Sequence, residues 1–125
     1  PGLFNNTNTF YAATVNTIAG VSTPILKNNT GTVLASETGV VMNIYNNSTA
    51  TIYVKFYNDT VANVVVGTTT PVMTIPIPGL TKANVFSAHG IPFSAAITVA
   101  ATTGVADNNT GAPAANDIII QVFYN

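Results

Sequence analysis

Residues 51–100 of the chain, TIYVKFYNDTVANVVVGTTTPVMTIPIPGLTKANVFSAHGIPFSAAITVA, decide the fold class. The segment opens with an alternation of apolar side chains and side chains that carry a polar group. The apolar residues are Ile52, Val54 and Phe56, and the residues that alternate with them are Tyr53, Lys55 and Tyr57. A period of two places these two sets on opposite faces of a β-strand. The stretch therefore predicts a sheet with one apolar face and one face open to water.

Short apolar stretches separated by turn residues fill the rest of the chain. Further strands are predicted at residues 10–18, 32–36, 39–45, 62–66, 83–88, 93–101 and 117–124. Asn46-Asn47-Ser48 is a turn sequence between two of these strands, so residues 39–57 are predicted to form a hairpin. The segment 71–78 contains three prolines, which cannot donate hydrogen bonds to a sheet. It is predicted to be an edge strand or an extended crossover.

No window has the three- and four-residue spacing of an amphipathic helix, and the chain is rich in Thr and Val, whose branched side chains suit a pleated sheet. About nine short strands with regularly spaced turns predict a single-domain antiparallel β-sandwich, jelly-roll-like in form. Residues 1–9, rich in Asn and Thr, are predicted to be an extended N-terminal arm. Residues 10–125 are predicted to be the β-sandwich domain.

The composition excludes several classes of function. Only 6% of the residues are charged, against about 25% in typical domains, and there is neither cysteine nor arginine. Disulfides and cysteine-ligated metals are therefore absent. Three lysines cannot form the basic stripe that nucleic acid or an anionic membrane surface requires, so neither partner is expected. Because a surface with few charges is poorly protected against association, the composition favours a protein that works in an assembly.

The sequence contains no arrangement of residues that is typical of catalysis. His89 is the only histidine, and no base is evident to orient beside a nucleophile. Each of the four acids lies in or beside a turn, which is typical of a turn cap. These acids are Glu37, Asp59, Asp107 and Asp117. We therefore expect no enzymatic activity, no cofactor and no bound metal. A calcium site that uses Asp107 and Asp117 remains an alternative, although residues 107–118 lack the spacing of an EF-hand loop.

Two sets of aromatic and apolar residues are candidates for contact with other molecules. Tyr53 and Tyr57 are predicted to lie on the exposed sheet face, where they stack on neighbours, lie in a subunit interface or, with Asn43 and Asn58, line a shallow carbohydrate site. The arm and the residue that follows it carry the apolar side chains that would gain most from contact with a neighbouring copy. These candidate self-association residues are Leu3, Phe4 and Phe10.

Several short motifs resemble those of a known family. They include ATIYVKFY at residues 50–57, GTTTPV at 67–72, IPIP at 75–78 and GIPFS at 90–94. With similar runs nearer both ends, the resemblance covers about residues 24–124. The chain resembles small structural proteins of tailed bacteriophages, of the capsid decoration or accessory virion type.

The resemblance implies an all-β virion component that is assembled in the host cytoplasm. Such a protein associates with copies of itself, a trimer being favoured, and with the major capsid protein or another virion protein. The resemblance brings no catalytic residues. Two alternatives remain at this point: a fibre or adhesin-like module that binds surface glycans, and an extracellular filament subunit whose arm pairs with a neighbour's sheet edge.

Overall fold

The computed structural model describes residues 11–18, 21–22, 31–33, 40–86 and 91–124, with side chains described for 43–85 and 91–122. Across these residues the backbone forms strands and turns and no helix, which confirms the all-β prediction. No helix in the described ranges is long and apolar enough to cross a membrane. The predicted arm, and with it Leu3, Phe4 and Phe10, lies outside the described residues.

The strands are antiparallel to their neighbours and form two larger sheets and one pair. In chain order they are β1 Tyr11–Ile18, β2 Val21–Ser22, β3 Gly31–Val33, β4 Val40–Asn46, β5 Ile52–Tyr57, β6 Met73–Ile77, β7 Lys82–Phe86, β8 Ile91–Phe93, β9 Thr98–Thr102 and β10 Ile118–Tyr124. The sheet orders are β2-β1-β10-β4-β7 and β6-β5-β9, with β3 paired to β8. The prediction of about nine strands is not confirmed, because residues 40–124 contain seven strands, β4–β10, while β1–β3 precede them as stretches for which only the backbone is described.

In the two larger sheets, the described side chains belong to two three-stranded units, β7-β4-β10 and β6-β5-β9, and one hydrophobic cluster contains residues of both, together with Phe93 of β8. The first unit contributes Ile44, Ile118, Ile120 and Val122, and the second contributes Ile52, Val54, Phe56, Ile77, Val99 and Ala101. The predicted inward face of β5 is therefore confirmed. Burial of such side chains is worth roughly 1.5–3 kcal/mol each before the entropic cost of folding is counted.

The predicted hairpin across residues 39–57 is wrong. β4 and β5 belong to different sheets, as do β6 and β7, while β4 lies beside β7 and β5 beside β6. The connections 47–51 and 78–81 are therefore two neighbouring arches that carry the chain between the sheets. A turn sequence identifies where the chain changes direction, but it does not identify which strand the next one pairs with.

Asn46 ties the two arches together. Its side chain is buried, and its amide nitrogen donates hydrogen bonds of 2.8 Å to two carbonyl oxygens. One belongs to Ala50 in the first arch, and the other belongs to Ile77, which directly precedes the second arch. Asn46 Oδ1 accepts a hydrogen bond of 2.9 Å from the backbone N–H of Ser48. The arches also touch at Gly79, where an added Cβ would lie 2.3 Å from the carbonyl oxygen of Thr49, so only glycine fits.

Three further strand predictions have mixed outcomes. The proline-rich stretch contains β6, which lies at the edge of its described sheet, as predicted. Residues 62–66 are not a strand but part of two successive turns, in which the N–H of Asn63 donates to Thr60 and that of Thr68 to Val65. The predicted strand 93–101 is divided between β8 and β9, which pair in different sheets. Apolar composition alone does not separate a strand from a half-buried turn.

Candidate functional site

The outward face of β5 is covered by two loops. Residues 58–72 and 103–117, here called the loop cover, are bonded to this face from both sides. Lys55 Nζ donates a 2.6 Å hydrogen bond to the carbonyl oxygen of Ala106, and Thr98 Oγ1 donates one of 2.7 Å to that of Asp59. The loops also meet each other at Gly67, where φ is +91° and an added Cβ would lie 2.5 Å from the side chain of Thr110.

The predicted exposed aromatic face is therefore wrong for Tyr57. Tyr57 and Lys55 are fully buried and Tyr53 is half-buried, because a period-two pattern cannot reveal that a loop covers the second face of a sheet. The predicted carbohydrate site is not assembled either. Asn58 donates to Ser94 Oγ at 2.9 Å and accepts from the N–H of Ala95 at 2.9 Å, and Asn43 lies on β4 in the other sheet.

Burial changes the acid–base properties of both covered side chains. Desolvation lowers the pKa of Lys55 below its ordinary value, and the Asp107 carboxylate partly opposes this shift. Desolvation also raises the pKa of Tyr57, and the negative charge of Asp107 adds to that shift. The Tyr57 hydroxyl has no hydrogen-bond partner among the described groups. With both side chains closed off from solvent, Lys55 holds the loop cover in place through its bond to Ala106.

Two of the acids have the turn-capping role predicted from the sequence. Asp59 Oδ1 accepts from the N–H of Thr60 at 2.8 Å, and Asp117 Oδ2 accepts from that of Ala114 at 3.1 Å. In the loop that partly resembles a calcium site, Asn109 Oδ1 accepts backbone N–H groups instead. No group of three His, Cys, Asp or Glu side chains that could hold a metal ion occurs in the described part of the chain. Glu37 and His89 lie outside it.

A shallow depression of about 380 Å³ lies where the arches meet the outer face of the five-stranded sheet that contains β4 and β7. It is lined by Tyr45, Asn46, Asn47, Leu80, Thr81 and Lys82. Tyr45 lies opposite Lys82 on β7 and opposite Ile119 on β10, so the ring stands between two neighbouring side chains on the outer face. On the same outer face, two residues before Tyr45 on β4, three amide side chains form a row across neighbouring strands. They are Asn84, Asn43 and Gln121.

The rim of this depression is fixed by backbone contacts. Leu80 has φ +58°, a conformation that a bulky residue rarely adopts, yet its side chain is 70% exposed. Its N–H donates to the carbonyl oxygen of Ser48 at 2.8 Å, which holds the two arches together at this point. Such strain persists only where the surroundings enforce it. No pattern in the sequence singles out Tyr45, Leu80 or Lys82 as site residues, because only the pairing of β4 with β7 brings this part of the chain together.

The loop cover presents a second distinctive surface. Four valines on it are between 47% and 61% exposed, namely Val61, Val65, Val72 and Val105. Single exposed valines are ordinary, but here four of them lie on two loops that contact each other.

Comparison of the chain with protein-family models, with curated proteins and with solved structures gave no match.

Proposed function

We propose that the chain is a structural subunit of a virus particle, a capsid decoration protein that binds copies of itself and the capsid surface. The observation that carries the proposal is that four valines on the loop cover are exposed. The resemblance of residues 24–124 to virion proteins of this type supplies the biological setting.

The loop cover suits a permanent interface because it is held in place before any partner arrives. Lys55 and Thr98 bond its two loops to the sheet, Asn58 bonds it to Ser94 between β8 and β9, and Thr102 Oγ1 adds a 2.8 Å bond to the carbonyl oxygen of Gly104. A partner that covers the valines therefore gains apolar burial without a large cost of ordering loops. A protein that remains a monomer has little use for apolar side chains fixed in this way.

The finer architecture in this proposal is a β-sandwich of the jelly-roll type. Two observations support it: the shared hydrophobic cluster between β7-β4-β10 and β6-β5-β9, and the two arches that pass between these units. A sandwich leaves loops at its ends and on its flanks for contact with neighbours. We further propose a homotrimer, following the family resemblance, with Leu3 and Phe4 of the arm and the adjacent Phe10 packed on a neighbouring copy.

Sedimentation velocity of the full chain and of a Val65→Lys/Val105→Lys double variant tests the proposal. Each valine that an interface buries contributes roughly 1.5 kcal/mol or more, so the double variant should weaken self-association at least tenfold. A Thr51→Lys/Asn84→Lys variant is the matched control, because it adds the same charge at exposed positions outside the loop cover.

The full chain should sediment as an oligomer, the valine variant as a smaller species, and the control as the full chain does. A full chain that stays monomeric at high concentration contradicts self-association. Equal loss in the valine variant and the control shows that the loop cover is not the interface. Electron microscopy of the native assembly then tests the position on a capsid, since a filament without a shell would favour the filament alternative.

A further inference from the structure

We propose that the depression between β4 and β7 binds a saccharide that carries a carboxylate, of the uronic acid class. This inference goes beyond the structural role and does not depend on it. It rests on an aromatic ring, an exposed ammonium group and amide groups that β4, β7 and the two arches bring to one shallow surface.

Tyr45 supplies the stacking platform. Its side chain is 36% exposed at the end of β4, with Lys82 directly opposite on one neighbouring strand and Ile119 on the other. The face of an aromatic ring is negative, and the C–H groups on one face of a pyranose ring are weakly positive, so the two stack. The depression holds about 380 Å³, within the range of small-ligand sites and large enough for a sugar residue.

Lys82 gives the site its preference for a negative charge. It is exposed, whereas Lys55 is the only other lysine whose side chain the structure describes, and that one is buried. No acidic side chain lines the depression, and the described residues contain no hydrogen-bond or ion-pair partner for the Lys82 ammonium group. An ammonium group beside an aromatic ring, in a depression whose lining carries no carboxylate, is complementary to the carboxylate of a bound uronic acid.

The amides and hydroxyl group at the rim match the remaining groups of a sugar. Asn47 is exposed, and its Nδ2 makes one long bond of 3.3 Å to the carbonyl oxygen of Asn116, which leaves its Oδ1 available as an acceptor. Thr81 Oγ1 donates to the carbonyl oxygen of Pro78 at 2.6 Å and can still accept. The amide row of Asn43, Asn84 and Gln121 continues this polar surface and offers room for a second sugar residue.

The surface is also preformed, which reduces the cost of binding. The side chain of Asn46 fixes both arches, and the left-handed backbone of Leu80 fixes the rim. Few rotatable groups therefore need to be ordered when a ligand arrives.

NMR titration of the ¹⁵N-labelled full chain with D-glucuronate tests the proposal. We expect saturable shifts of the backbone signals of Tyr45, Asn47 and Lys82, with a Kd of about 1 mM for a single sugar residue. D-Glucose should bind at least fivefold more weakly, because it offers Lys82 no charge. Acetate, which has the charge without the ring, should cause much smaller shifts.

Variants separate the two contributions. Lys82→Gln should remove the preference for glucuronate over glucose, and Tyr45→Ala should weaken both sugars, while Tyr45→Phe should retain binding because it keeps the ring. Tyr53→Ala is the control, since that tyrosine lies in the other sheet. Lys82 is exposed, so its variant keeps the test decisive even if Tyr45→Ala fails to fold.

Three outcomes would overturn the proposal. One is the absence of saturable shifts at about 50 mM glucuronate, some fifty times the expected Kd. Another is equal binding of acetate and glucuronate, which would show an anion site only. The third is the same set of shifts when the protein alone is concentrated, which would show that a second copy of the chain occupies the depression.

Discussion

At the scale of single residues, the hydroxyl of Tyr57 has an unfavourable environment. It is buried under the loop cover and has no partner among the described groups, and a buried donor without a partner costs about 1–3 kcal/mol. Tyr57→Phe should therefore raise the free energy of unfolding by about 1 kcal/mol, measured by urea denaturation. Tyr45→Phe, at an exposed position, should leave it unchanged. A loss of stability in Tyr57→Phe would mean that the hydroxyl is bonded in solution.

Lys55 and Tyr57 together give the stability a defined dependence on pH. Burial lowers the pKa of Lys55 below 10.5, so in the window between its folded pKa and 10.5 the unfolded chain binds more protons, and stability rises with pH. The raised pKa of Tyr57 acts in the opposite sense. Above pH 10.0 the unfolded chain loses this proton first, and stability falls.

Denaturation measured between about pH 7 and pH 11 checks both effects, in a range that spans the ordinary pKa values of lysine and tyrosine. Lys55→Met should remove the rise toward pH 10.5, and Asp107→Asn should start that rise at lower pH because the carboxylate no longer favours the ammonium form. Lys82→Met is the control for loss of an exposed charge. A rise that survives in Lys55→Met would contradict the assignment.

At the scale of elements, the two arches depend on Asn46. Asn46→Ala would leave the buried carbonyl oxygen of Ile77 without its 2.8 Å donor and would release Ser48 from Oδ1. Stability should fall by about 2–3 kcal/mol in urea denaturation, since buried polar groups are left unpaired. Asn47→Ala removes one exposed bond of 3.3 Å and should cost less than about 1 kcal/mol. Equal losses in the two variants would show that Asn46 does not tie the arches.

A substitution at Gly79 provides a second test of the contact between the two arches. An added Cβ would lie 2.3 Å from the carbonyl oxygen and 2.4 Å from the carbonyl carbon of Thr49, which are backbone atoms that cannot turn away. Gly79→Ala should cost at least about 1–3 kcal/mol, as overpacking usually does. An unchanged denaturation midpoint would mean that the arches stand further apart than the structure has them.

The arches also show which features of the fold can be predicted from local sequence and which cannot. The alternation of Ile52, Val54 and Phe56 correctly predicted the inward face of β5, and the prolines of β6 correctly predicted an edge, because both signals are local. The partner of β4 and the burial of Tyr57 depend on contacts with distant parts of the chain. Tyr45 and Lys82 are 37 positions apart and meet only through the β4–β7 register, which no local pattern specifies.

At the scale of the whole molecule, the shared hydrophobic cluster predicts that the two three-stranded units unfold together. Ile44 belongs to one unit and Ile52 to the other, and both are buried in the same cluster. Ile44→Ala and Ile52→Ala should each cost about 2–5 kcal/mol and should each lower the midpoint of a single transition. Far-ultraviolet circular dichroism and tyrosine fluorescence should then coincide. Separate transitions by the two probes would mean that the units are independent.

The position of β10 has a consequence for biosynthesis. This strand, Ile118–Tyr124, pairs with β1 on one side and β4 on the other, so it completes the middle of the larger sheet. A ribosome makes β1 and β4 long before their common neighbour emerges, and pairing between segments so far apart in the chain is intrinsically slow. Until residues 118–124 leave the exit tunnel, the hydrophobic cluster around Ile44 lacks Ile118, Ile120 and Val122. We therefore expect this sheet to close after translation of β10, with the nascent chain dependent on chaperones until then.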